Sequence, residues 1–314
     1  MPPQLSVVMS TFNSSRTIER AIGSILNQTF SDFELIIMND GSTDDTESKI
    51  LAFTDERIKY HSLVHGGLTR ALNFGVLQAS AKILARHDSD DWSEPDRFGT
   101  QLRCFEEDCE LSVVASWHNV VESNGRYLGL KSTATDDGGI KKMLRRRNPF
   151  CHGSTAIRKS AFEITGGYDE ALLFSQDYDL WLRMAAKGSK FMCIAKPLYN
   201  YSISPESIAK GWYKLGYAKD VRHNALQPDE RQKFSVDSLP EIGKRRTESL
   251  WYYAIGSLAL DDGNRRRSIR YFLRCLFKNP LFLHAYFKCM MALLPTVIAQ
   301  LIDRSVKKFL LIGR

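Results

Sequence analysis

The chain has 314 residues, of which 43% are hydrophobic and 25% are charged, with a net charge of +7, which is ordinary for a globular protein. That length can bury one large core or two smaller ones. The six cysteines show no Cys-x-x-Cys spacing, so no zinc or disulfide framework is recognisable and we expect reduced thiols in a cytosolic compartment. The N-terminus has no basic or long apolar stretch, so we expect no secretory signal.

The first part of the chain alternates short apolar runs with an amphipathic segment. Residues 5–9 and 33–38 predict strands, and residues 18–26 place apolar side chains at helical spacing between them. Strand, helix and strand joined by short loops predict a parallel sheet. No Gly-x-Gly-x-x-Gly follows the first strand, so nicotinamide or flavin binding has no support.

The second strand ends in a polar turn, 39–46, with Ser42 or Thr43 as the expected cap of the next helix. Asp40 stands at the tip of this strand, where a carboxylate can accept hydrogen bonds from a ribose or a base edge. The alternative, favoured from Asp40 alone, is an Asx-turn residue that shapes the Asp-Gly bend. Residues 57–60 and 68–79 then predict a strand and a helix.

The most informative stretch follows that helix. The apolar run 83–85 has the size of a buried strand, and it leads into Arg86 and then three carboxylates, those of Asp88, Asp90 and Asp91. Ser93 and Pro95 predict the start of a new helix. The acids therefore lie where a strand leaves the sheet, and in open α/β sheets ligands bind at that edge.

Three carboxylates this close repel one another, and a divalent cation relieves that repulsion. Oxygen ligands suit Mg²⁺ or Mn²⁺, and these metals take much of their shell from water and a substrate diphosphate. The alternative is that the acids cap the next helix and are solvated, since short motifs match by chance.

Further elements are predicted after the acidic stretch: a helix after Pro95, a strand at 111–117, a hairpin turn at 123–125, a basic surface helix at 139–147, a strand at 151–157, a helix ending at Gly166-Gly167, closing strands at 190–194 and 198–203, and a polar boundary at 204–242. A helix beginning at Phe174 has acids in its first turn, with Leu180, Trp181 and Met184 facing inward. Asp177 there lies near the emerging strands, or only complements the helix dipole.

Five segments in this order resemble the family 2 glycosyltransferases of the GT-A fold: Leu5 to Asn13, Asn39 to Asp45, Gly67 to Gly75, Arg86 to Asp91 with Pro95, and Gln176 to Arg183. Five ordered segments are far more specific than one. The resemblance implies an α/β GT-A domain over 1–204, with a Rossmann-like, mostly parallel sheet flanked by helices. We expect a linker at 205–242 and an all-α extension at 243–314.

The resemblance also implies site residues. Thr11 and Asn13 look like nucleotide contacts, and Asp40 looks like the uracil or ribose acceptor. Arg86 looks like a residue near the diphosphate. Asp88 to Asp91 look like the Asp-x-Asp element, with Asp90 and Asp91 on Mn²⁺ or Mg²⁺, and Asp177 looks like the catalytic base. Trp181 is similar to an acceptor-site or sugar-site residue, with core packing as the alternative. His152 is a candidate at the same site or as a third metal ligand, since 201–207 lacks the histidine often found there.

The implied function is inverting, metal-dependent transfer from a nucleotide-sugar, a UDP-sugar in the first place, to a hydroxyl of a glycan or glycolipid in surface polysaccharide or lipopolysaccharide synthesis. Gln176 replaces the usual glutamate beside the base, so a catalytically silent scaffold is the main alternative. A two-carboxylate hydrolase leaves the clustered acids unexplained. A sugar-phosphate nucleotidyltransferase would need a glycine-and-arginine loop that 10–15 lacks. No nucleic-acid partner is expected.

The tail carries most of the positive charge. Residues 243–314 contain 14 Lys or Arg and 4 Asp or Glu, so the tail has a charge of +10 and the rest −3. Residues 244–280 predict a helical hairpin similar to one tetratricopeptide unit, which cannot bury its own apolar face. Residues 281–302 are apolar but interrupted, so we expect them to lie in an anionic membrane interface on the cytoplasmic face. The alternative is a basic helical cap in solution.

Overall fold

The computed structural model describes residues 1–172, 174–205, 207–208, 221–222 and 243–294. The strands are β1 (Leu5–Thr11), β2 (Phe33–Asn39), β3 (Ile58–Ser62), β4 (Ile83–Asp88), β5 (Trp92–Ser93), β6 (Leu111–Glu122), β7 (Tyr127–Lys131), β8 (Ala156–Arg158) and β9 (Lys190–Ile203). The helices are α1 (Ile18–Leu26), α2 (Thr46–Leu51), α3 (Leu68–Gln78), α4 (Arg97–Glu107), α5 (Asp137–Leu144), α6 (Lys159–Thr165), α7 (Gln176–Ala186), α8 (Lys244–Asp261), α9 (Arg265–Lys278) and α10 (Leu283–Leu293).

Eight of these strands follow the order β3-β2-β1-β4-β8-β6-β9-β5 in one sheet. β1 pairs in parallel with both β2 and β4, and β2 pairs in parallel with β3. β4 with β8, β6 with β8, and β5 with β9 are antiparallel. The sheet is therefore mixed, and its parallel half is the one predicted from the sequence.

β1, β2 and β4 are buried on both faces, which is why these parallel strands read as continuous apolar runs. Alternate residues of β1 enter different cores: Val8 packs with α3 and α7, whereas Val7 and Met9 pack with α1 and α4. All seven residues of β1 and of β2 are buried. The parallel strands therefore form a stiff support for the loops at their ends.

Some predicted boundaries are wrong for local reasons. Ser42 and Thr43 do not cap a helix: α2 begins at Thr46, whose N–H donates to Asp44 Oδ1, and Ser42 Oγ instead accepts from the Asn13 N–H. Ser93 lies in β5, and α4 begins at Arg97 after Asp96.

Two predicted strand ranges also differ. The strand predicted at 151–157 contains a 3₁₀ turn, His152–Ser154, in which the hydroxyls of Ser154 and Thr155 bind nearby carbonyls. The two strands predicted at 190–194 and 198–203 are one strand, β9, whose exposed middle residues break the apolar pattern without ending the pairing.

The chain divides into two compact units, one holding most of 1–202 and the other holding 128–130 and α8 to α10. In the second unit α8 and α9 form the predicted helical hairpin, where Ser268 Oγ donates to the Gly256 carbonyl at 2.8 Å. None of the described helices is both long and apolar enough to cross a membrane. Most of the predicted linker, 205–242, and the end of the apolar run, 295–302, lie outside the described residues.

Candidate active site

The carboxyl ends of β1, β2 and β4 bring the predicted donor residues to one edge of the sheet. Ser10 lies opposite Asp88, and Thr11 lies opposite Asn39. The chain leaves β1 toward β2 on one side and returns as β4 on the other, so the edge is a topological switch point, where such sheets bind ligands. The placement expected for the acids at the end of β4 is confirmed.

The loops after β1 and β2 are held together through Asn13. Its Oδ1 accepts from the Thr43 backbone N–H at 2.8 Å, and its own N–H donates to Ser42 Oγ at 2.9 Å. Asn13 has φ +49°, a left-handed value that asparagine tolerates better than most residues. Thr11 is 2% exposed, and its hydroxyl has no hydrogen-bond partner. Both residues remain predicted nucleotide contacts.

Asp40 is 2% exposed and organises the next loop. Its two carboxylate oxygens accept from the backbone N–H groups of Gly66 at 2.8 Å and Gly67 at 2.9 Å. Gly67 has φ +90°, a conformation that favours glycine. The Asx turn considered for Asp40 is not what the structure shows: its carboxylate binds N–H groups 26 and 27 residues away, and Asn39 Oδ1 accepts from the Ser42 N–H in the Asp-Gly bend. Its role as a ribose or uracil acceptor remains a prediction.

Arg86 is buried and paired with Asp88, with Nη2 to Oδ1 at 2.5 Å. Desolvation acts to lower the pKa of Arg86, but the charge of Asp88 and neighbouring tyrosines outweigh it and raise that pKa. The Asp88 backbone N–H donates to Tyr199 Oη at 3.1 Å. A Cβ on Gly153 would lie 2.1 Å from this hydroxyl, so only glycine leaves room for the ring.

The two acids after Asp88 differ in environment. Asp90 lies at the surface, yet desolvation by surrounding protein, followed by the charge of Asp88, raises its pKa to about 6. Asp91 is 0% exposed; its Oδ1 accepts from the Ser202 N–H at 2.7 Å, and no hydrogen-bond partner for its Oδ2 is found among the described residues. Burial, then the charges of Asp90 and Asp88, raise the pKa of Asp91 well above its usual range. The ionised forms of both carboxylates are therefore destabilised in the folded protein, and a nearby positive charge would stabilise them.

These acids fit a metal that needs few protein ligands. Within the described ranges, no three His, Cys, Asp or Glu side chains are placed to hold a metal together. Mg²⁺ needs only one or two carboxylates when a substrate supplies phosphate oxygens. The exposed carboxylate of Asp90 and the unpartnered Oδ2 of Asp91 suit that requirement. A Mn²⁺ or Mg²⁺ ion on these two residues remains a prediction.

Asp177 lies in the first turn of α7, next to Ser175, which has φ +57°. Asn148 Nδ2 donates to Asp177 Oδ2 at 2.6 Å. Burial is the largest influence on Asp177 and raises its pKa; the Tyr178 N–H and Asn148 lower it, and the charge of Asp88 raises it. Asp88 and Asp177 are thus within electrostatic reach of each other.

The two weaker candidates are packed side chains. Trp181 is 0% exposed in the core, its ring meets Phe150 edge to face at 5.9 Å, and the described part of the chain offers its Nε1 no hydrogen-bond partner. This burial favours the packing alternative. His152 Nε2 lies 2.7 Å from Tyr168 Oη, and desolvation, then the charge of Arg86, lower the pKa of His152 well below its usual value. His152 does not complete a three-ligand group with the acids.

Sequence reasoning missed Asn148, Tyr199 and Arg20. Asn148 holds Asp177, and Tyr199 holds Asp88. Arg20 stacks on Trp92 at 3.9 Å, and its Nη2 donates to the Asp90 carbonyl at 3.2 Å. All three act over long sequence separations, and nothing in their local sequence indicates a partner.

Comparison with known sequences identifies relatives of this arrangement. Residues 6–165 match the family described as glycosyl transferase family 2. The O-antigen biosynthesis glycosyltransferase WbnJ of Escherichia coli is 28% identical over 87% of this chain and 94% of its own length. The UDP-Gal:alpha-D-GlcNAc-diphosphoundecaprenol beta-1,3-galactosyltransferase of Escherichia coli is 29% identical over 65% of this chain and 76% of its own length.

Comparison with solved structures supports the fold. The crystal structure of S. aureus TarS 1-349 in complex with UDP superposes with a TM-score of 0.57. It is 16% identical, and the match covers 89% of this chain and 92% of that chain. The α/β GT-A fold with helices after it is therefore confirmed.

We predict that Asn148→Ala raises the pKa of Asp177 further. The hydrogen bond from Asn148 stabilises the ionised carboxylate, so its loss favours the protonated form. The measurement is a pH titration of the ¹³C carboxyl signals of aspartate-labelled protein, with Asp177→Asn identifying the signal. Asn124→Ala, in the hairpin turn, is the control and should leave the titration unchanged. A pKa that stays the same or falls in Asn148→Ala would contradict the assignment.

Proposed function

Because the chain belongs to glycosyl transferase family 2, we propose that it transfers a sugar from a UDP-sugar to a hydroxyl of a glycan or glycolipid, with inversion at the anomeric carbon. The observation that carries the proposal is the cluster of acids at the edge where β4 leaves the sheet, together with Asp177, which Asn148 holds in the first turn of α7. Asp88 to Asp91 end β4, and Asp177 begins α7 within reach of the charge of Asp88.

The relatives support the choice of donor and pathway. One relative is named for a UDP-sugar donor and a lipid diphosphate acceptor, another for O-antigen synthesis, and a structure of the same fold holds UDP. We therefore propose that the chain takes part in surface polysaccharide or lipopolysaccharide synthesis. We propose that it acts at the cytoplasmic face of a membrane.

In the proposed reaction Asp177 removes the proton of the acceptor hydroxyl as that oxygen attacks the anomeric carbon. The sugar–phosphate bond breaks, and the nucleoside diphosphate leaves. A single carboxylate base with direct attack gives inversion. Arg86 stays charged inside the protein and fixes the Asp88 carboxylate at the strand end. Mn²⁺ or Mg²⁺ on Asp90 and Asp91, when bound, would supply positive charge for the diphosphate.

We predict metal-dependent binding of UDP. Calorimetric titration should give tighter binding of UDP with Mn²⁺ than without it, and weaker binding of GDP, CMP and TDP. Asp90→Ala and Asp91→Ala should each weaken binding in Mn²⁺ by about tenfold or more, as loss of groups around a metal commonly does. Glu106→Ala, which removes an exposed acid on α4 outside the site, is the control. Folded protein that binds no nucleotide would favour the scaffold alternative.

We predict that Asp177→Asn abolishes transfer while nucleotide binding is retained. Asparagine keeps the shape but cannot accept the proton, and a general base commonly contributes about 10²- to 10⁴-fold. The measurement is release of UDP in the presence of acceptor, together with UDP affinity by calorimetry. Asp179→Asn is not a suitable control, because Asp179 pairs with Arg183; Asp169→Asn, in the loop before α7, is used instead. Transfer by Asp177→Asn at the wild-type rate would remove Asp177 as the base.

We also propose that α9 and α10 bind an anionic membrane surface. Leu273 and Phe277 on α9 are 55% and 81% exposed, beside Arg270 and Arg274. On α10, exposed apolar side chains recur at helical spacing, namely Leu283, Tyr286, Met290 and Leu293. Exposed apolar residues next to arginines are typical of helices that lie in an interface.

Substitution of Leu273 and Phe277 by serine should therefore reduce binding to vesicles. We expect about a tenfold or greater loss of affinity for vesicles containing phosphatidylglycerol, since two large side chains no longer leave water. Sedimentation with vesicles measures it, and vesicles of phosphatidylcholine alone should bind weakly. Leu77→Ser with Ile164→Ser removes comparable exposed apolar groups from the first unit and should change nothing. Equal recovery of both variants on the anionic vesicles would contradict the interfacial role.

A further inference from the structure

Three consecutive arginines, Arg145 to Arg147, follow α5 and are exposed. We call them, with Arg222, the arginine cluster. Within the described ranges, no ion pair is found for Arg145, Arg146 or Arg147. By contrast, Lys141 one turn earlier is paired with Asp137 at 2.8 Å. In the part of the chain that the structure describes, the side chains of Arg145 to Arg147 take no part in the contacts that hold the fold or the predicted donor site.

The arginine cluster is fastened to the helix that carries the proposed base. Tyr178 Oη donates to the Leu144 carbonyl at 2.6 Å, and Asn148 Nδ2 donates to Asp177 Oδ2 at 2.6 Å. The three arginines occupy the chain between these two anchors. Since a residue spans at most about 3.6 Å, Arg145 lies within roughly 11 Å of Asn148 along the chain. The backbone of these three arginines therefore lies next to Asn148, the residue that holds Asp177.

Arg222 adds a fourth guanidinium. Its Nη1 lies 3.5 Å from the Arg145 carbonyl and 3.4 Å from the Arg146 carbonyl, at the end of α5. A helix end carries only about half a negative charge, and its influence fades within one turn. Arg222 therefore complements the helix end, and the three exposed guanidinium groups beside it add positive charge that attracts an anion.

We propose that the arginine cluster binds a phosphate or diphosphate group of the acceptor, beside the hydroxyl that Asp177 deprotonates. Guanidinium groups match phosphate with paired hydrogen bonds, which makes arginine well suited to this ligand. The inference rests on the proposed function, because it names the acceptor class of the same site. Because the donor diphosphate is proposed to bind with Asp90 and Asp91 after β4, we assign the cluster to the acceptor.

Geranyl phosphate tests the proposal, with geraniol as the uncharged match. Each is titrated by calorimetry into the full chain, with and without saturating UDP. We expect geranyl phosphate to bind at least about tenfold more tightly than geraniol, the factor that one charge-assisted hydrogen bond supplies. Arg146→Gln with Arg147→Gln should remove that advantage. Lys82→Gln with Arg103→Gln removes two exposed charges elsewhere in the same unit and should keep it.

Several results would overturn the inference. One is equal affinity for geranyl phosphate and geraniol, and another is a phosphate advantage that survives in Arg146→Gln with Arg147→Gln. If that variant loses UDP affinity instead, the cluster belongs to the donor. If it loses only binding to phosphatidylglycerol vesicles, the cluster binds membrane lipid. Failure of UDP binding in the wild type would count against the proposed function, whereas failure of geranyl phosphate with UDP binding intact counts against this inference alone.

Discussion

The structure depends on holding three carboxylates at the end of β4. Arg86 and Arg97 are both buried, and both hold the chain at this strand end. Arg86 pairs with Asp88, and Arg97 Nη2 donates to the Arg86 carbonyl at 2.9 Å and to the Thr155 carbonyl at 3.2 Å. Removing one partner of a buried charged pair commonly costs about 3–5 kcal/mol, because the other charge stays buried alone. The arginines thus hold the strand end in place. Within the described residues, the Asp91 carboxylate has no ion-pair partner.

This arrangement makes stability depend on pH in a definite direction. The folded pKa of Asp91 lies above its unfolded value, so the folded state binds the proton more tightly. Its contribution to stability is present below the unfolded pKa and is lost as the pH rises through the raised folded pKa. At neutral pH the free energy of unfolding is therefore lowered by this carboxylate. Such local strain is common where a site is built to receive a ligand, and a cation would remove it.

The sequence predicted which strand ends meet at one edge of the sheet, but it did not predict the contacts that hold Asp177 and Asp88. Strands β1, β2 and β4 are buried on both faces, so they read as apolar runs, and polar residues after them had to lie at one edge. Asn148 and Tyr199 act across 29 and 111 residues. No local pattern encodes such contacts. The caps expected at Ser42 and Thr43 were wrong for the same reason, since both hydroxyls bind Asn13, which lies 29 and 30 residues away.

The surroundings of Gln176 in the structure change how this substitution is interpreted. From sequence alone its neutral side chain suggested loss of activity, because glutamate is usual beside the base in this family. The residue is 6% exposed, and burial together with the charge of Asp88 already raises the pKa of Asp177. A glutamate here would add a second carboxylate next to Asp177 and raise that pKa further. A neutral glutamine keeps Asp177 ionised to lower pH, which is what a general base requires.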